Sequence, residues 1–186
     1  MRCGVGKVNA ALCVQVLADA FQITHIINTG VAGSLNAALD IGDILISTDA
    51  LYHDVDVTIF GYQPGEVPQI GRREFIADER LVQLAKDICE KVNPDINTVT
   101  GRVVSGDQFI SDNATKNRLI ETYHGDCAEM EGASIAHGAY LNHIPFVIIR
   151  AISDKADNSS HMDYPVFEKA AADHSARLVD ELVQHI

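Results

Sequence analysis

The sequence predicts an α/β fold, a sheet covered by helices on both faces. Short runs rich in Ile and Val, such as Ile41–Thr48 (IGDILIST) and Pro145–Ile152 (PFVIIRAI), alternate with segments whose apolar residues recur at helical spacing. Several runs are apolar nearly throughout instead of every second residue, which is the pattern of strands buried on both faces. Length agrees with this, since 186 residues with 47% hydrophobic and 22% charged side chains suit one globular domain spanning residues 1–186.

The elements follow in order. Val8 to Phe21 keeps a helical rhythm, and Ile23–Gly30 (ITHIINTG) reads as a buried strand ending in a glycine turn. Ile41–Thr48 is the second strand. Leu81, Ala85, Ile88 and Val92 make the apolar stripe of a helix closed by Asn93-Pro94, and Thr98–Val104 returns as a strand. Ser111 or Asp112 caps a short helix running to about Tyr123. Asp126–Met130 is then a strand, Gly132–Leu141 a helix and Pro145–Ile152 a strand. A last helix runs from about Asp163 to the end, with Phe167, Ala171, His174, Leu178 and Leu182 on one face. The long irregular segment Tyr52–Phe75 (YHDVDVTIFGYQPGEVPQIGRREF) has a length that in compact domains usually signals function.

Charge and cysteine content narrow the classes of partner. A formal net charge of −12 argues against a nucleic-acid backbone, which is bound through clustered Lys and Arg. Cys3, Cys13, Cys89 and Cys127 are scattered without C-x-x-C or zinc-type spacing, so they read as reduced thiols of a cytoplasmic protein. No signal-type leader is read, and every apolar run falls short of a membrane span.

Several motifs fail on inspection. Gly4-Val-Gly6-Lys7 lacks the spacing and following Ser/Thr of a phosphate loop, and Asn9 stands where a dinucleotide fingerprint needs its third glycine. It reads as a turn entering a helix. No G-x-S-x-G supports a serine hydrolase. His53-Asp54-Val55-Asp56 has the residue types of a hard-metal site but no distant partner, and reads as solvated loop polarity. His25, His137 and His174 lie on predicted elements and read as hydrogen-bonded structural residues.

In α/β sheets ligands gather at the carboxyl ends of strands, so the residues after each apolar run are the candidate site. The tails are Thr29–Ser34 (TGVAGS), Val104–Ile110 (VSGDQFI), Glu129-Met130-Glu131 and Arg150–Asp154 (RAISD). Asp154 alone would read as an N-cap or surface turn. Paired with Glu131 on a neighbouring strand, it allows one carboxyl to donate a proton while the other stays ionised and accepts hydrogen bonds. Acid-assisted bond cleavage needs that division. Glu129, two residues before Glu131 and next to Met130, is read as a structural hydrogen-bond acceptor on the other strand face.

The stretches NTGVAGSL, YHDVDVTIFGY, VSGDQFI, AEMEGASIAH and RAISDKAD, in this order, resemble bacterial 5′-methylthioadenosine/S-adenosylhomocysteine nucleosidases of the purine nucleoside phosphorylase superfamily. The resemblance implies a central mixed sheet of nucleoside phosphorylase type and hydrolysis of an N-glycosidic bond, releasing adenine without metal or organic cofactor. It implies that Asp154 is the general acid that protonates adenine N7, with Ser153 orienting it. Glu131 then accepts the ribose hydroxyls beside Met130, Phe109 and Ile110 form the adenine slot, and Tyr164 flanks the 5′ side. In the implied homodimer, Phe60 and Pro68 close the alkylthio pocket of the neighbouring subunit. Asn28, where phosphorylase relatives typically carry an arginine, favours water as nucleophile, and aspartate at 154 favours a 6-aminopurine.

Two departures accompany the resemblance. Val31 stands near the ribose where many members have serine. The family's opening strands, with a glutamate that positions water, have no counterpart ahead of Met1, so the sheet is expected to show an unpaired edge. A phosphate-dependent purine nucleoside phosphorylase and a non-catalytic nucleoside-binding remnant are the alternative readings.

Overall fold

Helix α1 (Lys7–Ala20) starts directly after Gly6, whose backbone at φ 94° and ψ 162° turns the chain into the helix. The computed structural model describes residues 1–159, 167 and 173–186. The helical rhythm of Val8 to Phe21 is met, but the stripe made by Val8, Leu12 and Val16 faces outward, while Ala10 and Val14 are buried. Small residues occupy the inner side because α1 crosses α4 (Gly132–Leu141) closely: a Cβ at Gly138 would lie 2.9 Å from Val14 Cγ1.

Six strands form one mixed sheet: β1 (Ile26–Ser34), β2 (Ile44–Tyr52), β3 (Phe75–Ile76), β4 (Thr98–Ser105), β5 (Cys127–Glu129) and β6 (Phe146–Asp154). Their order is β3-β2-β4-β5-β1-β6, and β2 also pairs with β6 through Ile44–Ala151 and Ile46–Ile149, closing the sheet on itself. Period-two alternation assigns the two faces. Leu45 and Ile148 pack with Val14 and Ala136 of α1 and α4. Their neighbours Ile44, Ile46, Val147 and Ile149 pack with Leu81 and Ile88 of α2 (Glu79–Val92) and with Leu178 and Leu182. Those two leucines belong to helical residues 173–182. Helices therefore cover both faces, as the continuous apolar runs require.

Local signals set the helix ends. Asp78 caps α2 by accepting from Leu81 N at 3.0 Å, and Asp112 caps α3 (Asn113–Tyr123) by accepting from Thr115 N at 2.8 Å. Asn93 closes α2 before Pro94. Strand ends differ more from expectation. β1 does not stop at Gly30 but continues parallel to β6 through Ala32–Ile152, and then a bulge pairs Gly33 with Asp154. Gly33 is needed for this approach, because a Cβ there would sit 2.7 Å from Asp154 Oδ1.

On its other side β1 meets β5 only at Gly33–Ala128 and Ser34–Cys127. Among the described residues no strand pairs there with residues 26–32. The segment between β2 and β3 is irregular apart from a 3₁₀ turn at Thr58–Phe60 and a bridge between Val67 and Arg72. No helix among the described residues is long and apolar enough to cross a membrane.

Candidate active site

The four strand tails converge. A cavity of about 380 Å³ is lined by Val31, Phe109, Met130, Glu131, Ser153 and Asp154. Val5 of the turn before α1 also lines it. A larger cleft of about 780 Å³ between residues 76–80 and 139–146 contains neither Glu131 nor Asp154.

Asp154 ends β6 and is 1% exposed. Its Oδ2 accepts from Ser153 Oγ at 2.9 Å and its Oδ1 from Ala156 N at 2.8 Å. Buried carboxyls are costly unless bonded in this way. Both contacts are local, so the bulge against Gly33 and the turn to Ala156 orient the carboxyl before any ligand arrives. A carboxyl so held can donate a proton to a base nitrogen in the cavity.

Glu131 is half-buried at the start of α4. Its Oε1 accepts from Gly6 N at 2.7 Å, and Oε2 has no hydrogen-bond partner among the described residues. Burial is the main influence raising its pKa above the ordinary value, with the nearby Glu129 adding to it and the Gly6 N–H opposing. An oxygen in that state gains from a hydroxyl donor supplied by a ligand.

Glu129, 7% exposed, has a different task. It pairs with buried Arg150 at 2.6 Å and accepts from the backbone N–H groups of Glu131 at 3.0 Å and Gly132 at 2.8 Å. Ser105 Oγ donates to it as well. Burial pushes its pKa up, but Arg150, Ser105 and the Gly132 N–H more than offset this and hold it below the ordinary value. The structural-acceptor reading of Glu129 agrees with these contacts. Arg150 also donates to Asn28 Oδ1, at the floor of an adjoining cavity of about 670 Å³.

Other candidates lie elsewhere. Ile110 is buried in a cluster with Leu119 and Tyr123, one residue beyond the pocket-lining Phe109. Phe60 is exposed on the 3₁₀ turn and Pro68 half-buried beside the Val67–Arg72 bridge, and neither lines the cavity. Tyr164 lies outside the described residues.

The reading of His53–Asp56 as solvated polarity holds for the exposed Asp56 and is corrected at His53 and Asp54. His53 is 2% exposed, neither ring nitrogen has a hydrogen-bond partner among the described residues, and burial lowers its pKa. Asp54 accepts from Lys7 Nζ at 2.7 Å and from Asp107 N at 3.0 Å. His25 bonds Thr24, His137 Nδ1 bonds Tyr52 and His174 bonds Gly42 O, as hydrogen-bonded structural residues do. Sequence reasoning missed Val5, which lines the cavity, and Gly6, whose N–H bonds Glu131. The two closely spaced glycines were the available signal, read only as a turn.

Carboxyl groups at the strand ends of a mixed α/β sheet, around a largely apolar cavity with an aromatic side chain, form a ligand site of the kind such sheets carry, and the class is given by a match to the phosphorylase superfamily. The superfamily's sequence model matches residues 1–184. A 5′-methylthioadenosine/S-adenosylhomocysteine nucleosidase of Treponema pallidum is 42% identical over 206 residues, covering 98% of this chain and 76% of the relative. The Colwellia psychrerythraea nucleosidase in complex with adenine superposes with a TM-score of 0.94 at 36% identity, covering 98% of this chain and 76% of that one. The Helicobacter pylori nucleosidase with butyl-thio-DADMe-Immucillin-A gives 0.94 at 32% identity, covering 99% and 78%. The chain belongs to the 5′-methylthioadenosine/S-adenosylhomocysteine nucleosidase family of the phosphorylase superfamily.

Proposed function

We propose that this chain hydrolyses the N-glycosidic bond of 5′-methylthioadenosine and S-adenosylhomocysteine, and of 5′-deoxyadenosine, releasing adenine and a ribose product for methionine salvage. The observation that carries the reading is the buried Asp154 carboxyl, held by Ser153 and Ala156 on the wall of a cavity that Glu131 and Phe109 share. Adenine stacks on Phe109, with the backbone at Ile110 reading its edge. Asp154 gives its proton to N7, and the C1′–N9 bond breaks with its electron pair passing to the base. Glu131 Oε2 accepts from the ribose hydroxyls, Met130 and Val31 pack against the sugar, and Tyr164 flanks the 5′ side. Water adds to C1′, and the proton it loses passes through solvent to restore the Asp154 carboxyl, which balances the reaction without a cofactor.

The test is adenine release from 5′-methylthioadenosine in phosphate-free buffer. Release that needs phosphate and yields a ribose 1-phosphate would reassign the chain as a phosphorylase. Binding without release in either buffer would make it a nucleoside-binding protein.

The long loop supports a homodimer. Ile59 and Phe60 are 87% and 78% exposed at its tip, apolar surface that suits burial against a second copy in which Phe60 and Pro68 reach the neighbouring 5′ pocket. Sedimentation is expected to give a dimer for the parent chain and a weakened dimer for Phe60→Asp. An unchanged dimer in that variant would detach Phe60 from the interface. Four free thiols fit a reducing compartment, the cytoplasm.

A further inference from the structure

We infer that Lys7 is a positioning residue: its ammonium ties the Gly4–Lys7 turn to the pocket rim so that the Gly6 N–H holds Glu131 in place. The inference rests on the ribose role proposed for Glu131. Gly6 carries it structurally. At φ 94° and ψ 162° its backbone occupies a region essentially confined to glycine, one of several open to that residue, so contacts from neighbours are needed to select it. A Cβ on Gly6 would also stand 3.0 Å from Asp107 Oδ1.

The neighbours that hold this geometry are specific. Lys7 N donates to Asp107 Oδ1 at 2.8 Å, and Lys7 Nζ donates to Asp54 Oδ2 at 2.7 Å. Asp54 Oδ2 also accepts from Asp107 N at 3.0 Å, so one carboxylate oxygen joins Lys7 to the segment that carries Phe109 two residues later. Burial pushes the Asp54 pKa up, while Lys7 and the Asp107 N–H more than offset it, so the carboxylate stays ionised at neutral pH. Lys7 and Asp54 are both largely shielded from solvent, with side chains 25% and 18% exposed, which lessens screening of the pair. Three segments distant in sequence thus meet at Lys7, and two of them carry the cavity-lining Val5 and Phe109.

The consequence is a division of the Glu131 carboxylate. Gly6 N fixes Oε1 at 2.7 Å and so directs Oε2 for a ligand hydroxyl. Without the Lys7 tether the turn is free to sample the other conformations open to glycine, and Oε2 loses its aim while Asp154, held by its own local bonds, keeps its geometry.

The experiment uses Lys7→Gln and Lys7→Arg in the whole chain, read by amide hydrogen exchange at Gly6 and by steady-state kinetics on 5′-methylthioadenosine. Losing a charge-assisted tether is expected to speed Gly6 exchange and to raise KM about tenfold in Lys7→Gln, with kcat within about twofold and partial rescue by Lys7→Arg. Combined with Glu131→Gln, the KM penalty of Lys7→Gln is expected to shrink to about twofold, because the two act through one contact. Parent-like exchange and KM in Lys7→Gln, or fully additive penalties in the double variant, would overturn the inference. Failure of the parent chain to release adenine falls on the hydrolase reading instead, and Gly6 exchange still decides whether Lys7 holds the turn.

Discussion

Asp154→Asn is expected to lower adenine release by roughly 10²–10⁴-fold, the range typical for removing a positioned general acid. Asparagine matches aspartate in shape. It can keep the Ala156 N–H bond through its amide oxygen, and it fits the space left by the bare backbone of Gly33, where the carboxyl already lies close. Its amide can still donate a hydrogen bond to adenine N7 but has no proton to transfer. The loss should therefore appear in kcat, with KM for 5′-methylthioadenosine little changed. A coupled assay for free adenine reads it directly, and near-parent turnover would remove Asp154 from the general-acid role. Thermal unfolding of the variant should match the parent, which separates lost chemistry from lost structure.

The same geometry shows what could be read from the sequence. Asp154 and Glu131 were accessible because each follows an apolar run, and strand tails point to sites in this class of fold. The Asp112 start of α3 and the Asn93 closure of α2 follow from caps and periodicity, which act within a few residues. β1 was cut short because its course past Gly30 is set by pairing with β6, some 120 positions along the chain, and glycines read locally as a turn. β3 was missed for a related reason: its two residues are a strand only by pairing with Asp49 and Ala50. The outward stripe of α1 shows that periodicity establishes a helix without saying which side is covered. Lys7, Asp54 and Asp107 belong to no shared motif, and only the folded chain brings them together.

Glu129→Gln should cost about 3–5 kcal/mol of stability, the usual consequence of removing one partner from a buried ion pair. The Glu129 and Arg150 side chains are 2% and 1% exposed and meet at 2.6 Å, so the variant leaves a guanidinium with its charge uncompensated. Glutamine still offers one acceptor oxygen, but Glu129 now serves Arg150, Ser105 and the N–H groups of Glu131 and Gly132 with two. The first turn of α4 therefore loosens as well, and with it the backbone that carries Glu131. In a domain of this size the change corresponds to a fall in Tm of roughly 10 °C. Acidity should narrow the gap. The folded-state pKa of Glu129 lies below its ordinary value of 4.5, so its contribution is complete above that value and is lost as pH falls through the lower folded-state pKa. Denaturant unfolding of parent and variant at neutral pH and again at acid pH measures both effects. Equal stability at neutral pH would show that Arg150 is compensated from elsewhere. Restoration by a second change, Arg150→Met, would confirm that the unpaired charge, and not the lost packing of Glu129, is what destabilises the variant.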